Sequence, residues 1–276
     1  MISKEEVLKN PLFKALQKVG HSPEGDIYTW SQGMAFHNAN LLNALKEVSV
    51  SKRDRILKDI WTEFSLYAPE KVKKAMGLDV GVNVGKINEF MSQMLSDRNF
   101  WAIKGVGDTV EEAILNWVKA FAIYDFAIYT YLEKHLGSKE CFRLYMGLWE
   151  TFALAELEAV KKELGITKDT KIDMDLIAKI SRKYWESIAC PYKVIKHSKD
   201  VHIAEIEDCP YWKNMKAILG EEKARSMTLK CEAAVSVNYY DAILKALGVF
   251  DKYSFTMDKF QCCGDKCCRI RFELRK

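Results

Sequence analysis

The sequence predicts an α+β protein: a helical bundle over residues 1–190, then a smaller antiparallel sheet with a covering helix over residues 191–276. Three observations carry this reading. Apolar residues recur at helical spacing through the first part, as in Ile56, Leu57, Ile60, Trp61, Phe64 and Tyr67. Beyond Cys190-Pro191 the period becomes two: Cys268, Ile270, Phe272 and Leu274 alternate with Arg269, Arg271, Glu273 and Arg275. Six of the eight cysteines also fall between Asp208 and Lys276.

Taken in order, residues 1–27 read as short helices ending in the loop Gly20 to Asp26, and Ile27 to Val48 as a helix. Ser51 and Asp54 have the spacing of a capping box ahead of the next apolar stripe, which Pro69 ends. The glycine-bearing stretch Gly77 to Gly85 lacks the Gly-Lys-Ser/Thr ending of a phosphate loop, so it reads as a connector. Ile87 to Leu95 is a further helix. Thr109 and Glu112 form a second capping box, opening a helix over 110–135 that Gly137 stops. Helix 139–164 follows after so short a link that the two must be antiparallel neighbours. Asp173 caps helix 174–188.

In the second part, Tyr192 to His197 and Val201 to Glu207 read as strands around a Ser-Lys-Asp turn. A short helix starts after Cys209, and a longer one covers Leu229 to Leu247. Tyr253 to Asp258 and Cys268 to Leu274 are strands joined by the cysteine loop.

Composition narrows the function. With 276 residues and 49% hydrophobic side chains, a sizeable core can form. A net charge of +4, from 42 basic and 38 acidic side chains well interspersed, argues against a nucleic-acid partner. The start, Met-Ile-Ser-Lys-Glu-Glu, is charged and lacks an apolar signal region, so a cytoplasmic protein with reduced or metal-bound thiols is expected. The most apolar helix, Ala113 to Leu132, carries Asn116, Lys119 and Asp125, which argues for a buried helix and against a membrane span.

The cysteines carry the chemistry. Three residues separate Cys263 from Cys267, and four separate Cys263 from Cys268, spacings that suit zinc. Cys209, just ahead of a helix, and Cys231, on the following one, could complete a four-sulfur set. An iron–sulfur cluster could use the same ligands. Three readings stay open at this point: a metal site, structural or reactive thiols, and disulfides. His202 and His197 flank the first hairpin turn, and His202 is a candidate acid–base group. Asp125, amid aromatic residues, is a second one. The bundle lacks the Glu-x-x-His pairs of a di-iron site.

Cys209-Pro210, then Cys231 on a helix, then Gly264-Asp265-Lys-Cys-Cys268 running into Arg-Ile-Arg-Phe-Glu-Leu, resembles the C-terminal part of the L-2-amino-thiazoline-4-carboxylate hydrolase-like family. The same ending is similar to four-vinyl-reductase-like small-ligand-binding domains. The resemblance covers the chain from about Cys190 onward. It implies a hydrolase that opens a small C–S/C–N heterocycle, with Cys209 and His202 as catalytic candidates; Asp125, read from its aromatic surroundings, is the third. Cys209, Cys231, Cys263, Cys267 and Cys268 would be the metal-holding set. The alternative is a binding or sensor protein with zinc or an iron–sulfur cluster at its cysteine site. The expected partner is a small molecule, with no nucleic acid or membrane; a homodimer is among the assemblies open to it.

Overall fold

The structure, a computed structural model, describes residues 23–96, 106–187 and 190–276. The short helices expected over residues 1–22 lie outside the described residues. The described chain forms two compact units, one running to Leu148 and the other from Trp149. The division falls inside a helix, whereas the change of sequence period comes at Cys190. The fold is α+β, with a helical N-terminal part.

The first unit contains α1 (Pro23–Ala44), α2 (Val50–Tyr67), α3 (Glu70–Ala75), α4 (Val84–Ser96), α5 (Val110–Leu136) and the first part of α6 (Ser138–Glu163). Helix α1 begins at Pro23, inside the expected loop, because proline fits a first helical turn. Helix α2 begins one residue before Ser51, so that serine lies within the helix and caps nothing. The short α3, absent from the sequence reading, begins immediately after Pro69.

The cap at Thr109 forms as expected. Its Oγ1 accepts from the Glu112 backbone N–H at 3.1 Å, and the Glu112 carboxylate reaches back to the Asp108 N–H at 2.7 Å. Gly137 ends α5 at φ 82°, where a side chain would be strained. Helices α1 and α2 pack on α5. Trp61 stacks on Tyr124 at 4.7 Å, and the Tyr124 hydroxyl donates to Asn38 at 2.7 Å. The buried tyrosine thus keeps both its apolar contact and its hydrogen bond.

The second unit contains the rest of α6, then α7 (Met174–Ser187), β1 (Tyr192–His197), β2 (Val201–Glu207), α8 (Pro210–Leu219), α9 (Glu221–Ala246), β3 (Tyr253–Lys259) and β4 (Cys267–Leu274). Asp173 caps α7, its Oδ1 accepting from the Leu176 N–H at 3.1 Å. The four strands form one antiparallel sheet in the order β1-β2-β4-β3. Helix α9 packs across β3, and α7 against β1 and β2. Tyr240 of α9 stacks on Phe255 at 4.3 Å and meets Phe272 edge-on at 5.2 Å. Ala204, Ile206, Ile270 and Phe272 complete this buried layer.

The other face of the sheet is polar: Arg269 pairs with Glu205 at 2.6 Å, and Lys259 with the same carboxylate at 3.3 Å. Edge strand β1 is largely exposed and carries Lys193 and Lys196, a disposition that discourages pairing with another edge. Among the described residues, no helix is long and apolar enough to cross a membrane.

Candidate functional site

Two clusters of chemically capable side chains lie at opposite ends of β2. The first is made of sulfur. Strand β2 ends at Glu207, and Asp208 then adopts φ 59°, the left-handed region, where aspartate is better tolerated than most residues. That turn sends the chain directly into α8, with Cys209 at its N-cap and Pro210 at its first position. Chain entry into β1 brings the second sulfur. The Cys190 backbone N–H donates to the Trp185 carbonyl at 2.9 Å, folding residue 190 back over the end of α7.

Cys190 is 3% exposed, and its thiol hydrogen-bonds to Cys209. That bond, then burial, then the negative potential of Cys209, Cys268 and Asp208 hold the Cys190 thiol protonated, far above the usual thiol range. The third sulfur comes from the sheet. Cys268 pairs with Ile206, and its Sγ accepts from the Gln261 N–H at 3.4 Å. The Gln261 side chain accepts from the Cys209 N–H, also at 3.4 Å, so one residue ties both sulfur-bearing segments together.

Of the metal-holding set expected from the sequence, Cys209 and Cys268 are both tied to Gln261, while Cys263 and Cys267 lie elsewhere. Cys263 is exposed on the short 3-10 turn Gln261–Cys263. Cys267 precedes Cys268 in β4, so its side chain leaves by the opposite face of the sheet. There it is buried beside Glu205, Lys259 and Arg269, and burial with the Glu205 carboxylate raises its thiol. Cys231 lies in α9, the helix that packs on the 261–263 turn. Its side chain lies outside the described residues. Cys190 takes the place that the sequence reading gave to others. Among the described residues, no three of His, Cys, Asp or Glu already stand as a group that could hold a metal ion.

Beside the sulfurs is a cleft of about 310 Å³, lined by Asp208, Trp212, Lys213, Lys216, Gln261 and Asp265, among others. Its size is at the low end of small-molecule sites. It offers cations, carboxylates and one indole.

The second cluster is a line of hydrogen bonds. His197 and His202 are cross-strand partners at the end of the β1–β2 hairpin. Asp175 meets His197 Nε2 at 2.8 Å, the two Nδ1 atoms stand 3.1 Å apart, and His202 Nε2 meets the Tyr192 hydroxyl at 2.6 Å. The Tyr192 hydroxyl oxygen also lies 3.4 Å from Ser181 Oγ. His202 is 2% exposed, and burial, then the neighbouring His197 and Arg182, pull it down to about 4. It is a neutral imidazole at pH 7. Tyr192, placed by the sequence only as the first residue of a strand, is pushed up to about 12, mainly by burial. Phe272, the partner of His202, is four β4 residues from Cys268, roughly 13 Å at a rise of about 3.3 Å per residue. His202 and the sulfurs therefore do not meet over one bond.

Asp125 lies in the first unit with no solvent exposure. Its carboxylate accepts from the Tyr145 hydroxyl at 2.5 Å and stands 3.5 Å from His37 Nε2, itself fully buried. Asp125 is thus held within the core of the first unit by Tyr145, apart from the residues that line the cleft. A further carboxylate, Glu156, belongs to the second unit. The Tyr239 hydroxyl donates to it, and burial, opposed by that bond, pushes it up to about 7.

No family model, curated protein or solved structure matches the chain.

Proposed function

We propose that the second unit is a soft-metal-binding module, zinc being the first choice, that positions the neighbouring cleft for a small charged ligand. The carrying observation is the hydrogen bond between the Cys190 and Cys209 thiols, with Cys268 near enough to act on Cys190 through its charge. Thiolates are the donors that zinc prefers, and four close a structural site. Cys231, on the helix against the 261–263 turn, would be the fourth. Cys209 sits where a helix start favours negative charge, which suits a metal-bound thiolate. The cleft suits a ligand with both signs of charge, its carboxylate toward Lys216 and its cation toward Asp265.

Anaerobic purification followed by metal analysis tests this reading. One zinc per chain, lost in both Cys190→Ser and Cys209→Ser, supports it. An absorbance near 400 nm with bound iron would move the site to an iron–sulfur cluster. A metal-free protein whose Cys209 alkylates fast at neutral pH would favour a nucleophile, and with it the ring-opening hydrolase implied by the resemblance.

A further inference from the structure

The histidine pair at the other end of β2 carries its own consequence. A carboxylate only accepts hydrogen bonds, so the Asp175 contact requires the proton of His197 on Nε2. His197 Nδ1 is then a bare lone pair, and it faces His202 Nδ1 at 3.1 Å. Two nitrogens each about 2.05 Å from a common ion stand about 2.9 Å apart at a right angle and about 3.3 Å apart in a tetrahedron. The observed spacing lies between those limits. The rings meet at 78°, with centroids 5.1 Å apart, and His197 is about one-third exposed on its side chain.

We infer that His197 and His202 form a second metal site, of imidazole type, for a divalent first-row ion such as nickel or copper. The two Nδ1 atoms are the protein ligands, and water or a small ligand fills the remaining positions. Without the ion, Tyr192 donates to His202 Nε2, and His202 Nδ1–H donates to His197 Nδ1. On binding, the Tyr192 hydroxyl turns its hydrogen to Ser181, and its oxygen accepts instead. The His202 proton moves from Nδ1 to Nε2. Both imidazoles remain neutral, and no proton leaves the protein. Asp175 and Tyr192 then hold the outer ring nitrogens, the support that metal-bound histidines ordinarily have. Arg182 beside His202 opposes the ion, and Asp175 favours it. The site stands apart from the sulfur cluster and does not rest on it.

The test is nickel binding to the full chain, followed by equilibrium dialysis and by the imidazole proton resonances. The expected result is paramagnetic broadening of both His197 and His202 at stoichiometric nickel. Folded His197→Gln should bind one nickel fewer than the wild type, whatever the sulfurs hold. Asp175→Asn should keep the site but weaken it about tenfold, as loss of an outer-shell partner does. The inference is overturned if the two histidine resonances stay sharp, or if His197→Gln binds as many nickel ions as the wild type. The resonance measurement decides the matter on the wild type even if a variant fails to fold.

Discussion

Glu156 and His202 titrate in opposite senses within the second unit, and replacing Glu156 by glutamine should expose the compensation between them. The Glu156 carboxyl is raised from 4.5 to about 7 by burial. The folded state therefore holds its proton more tightly than the unfolded chain. Its contribution to stability is fully present below pH 4.5 and is lost as pH rises through about 7. His202 is lowered from 6.5 to about 4. Its contribution is present above pH 6.5 and is lost as pH falls through about 4. At 1.36 kcal/mol for each pH unit, either group is worth up to about 3 kcal/mol. Across pH 4.5–6.5 the two slopes oppose each other, so the pair contributes little net pH dependence. Glu156→Gln keeps an acceptor for Tyr239 and removes one slope. The variant should match the wild type near pH 4 and be about 3 kcal/mol more stable above pH 7.5. Urea unfolding followed by circular dichroism at half-unit steps measures this. A difference between variant and wild type that stays constant with pH would refute the reasoning.

Phe272→Ala should cost about 3–5 kcal/mol in the same assay, because Phe272 is buried between Tyr240 and Phe255. Thr109→Ala should cost about 1 kcal/mol by removing the N-cap of α5, and leave metal content unchanged. Asp208→Gly relieves the left-handed backbone and should gain roughly 1 kcal/mol, less whatever its exposed ion pair with Lys213 contributes. A loss larger than 1 kcal/mol would show that the carboxylate matters more than the turn.

The sheet was legible because alternation is a strict signal. Tyr192–His197 and Val201–Glu207 form over the expected bounds, and the turn between them is the expected Ser-Lys-Asp. The same alternation already separates Cys267 from Cys268, although spacing counted along the chain makes them look interchangeable. Cys190 was hidden for a different reason. Its partners are 19 and 78 residues away, and no local spacing marks it. Only the backbone turn at Asp208 and the fold-back onto Trp185 create the meeting. Tyr192 was likewise invisible, since a strand-opening tyrosine reads as core until the cross-strand histidine is placed beside it. Ser51 misled because Ser49, two residues earlier, stands at the N-cap instead, and without a side-chain hydrogen bond.

Zinc counted in five single variants of the full chain tests the sulfur cluster most directly. The account predicts one ion in wild type, Cys263→Ser and Cys267→Ser, and loss of it in Cys190→Ser, Cys209→Ser and Cys268→Ser. Retention by Cys190→Ser together with loss in Cys263→Ser or Cys267→Ser would contradict it.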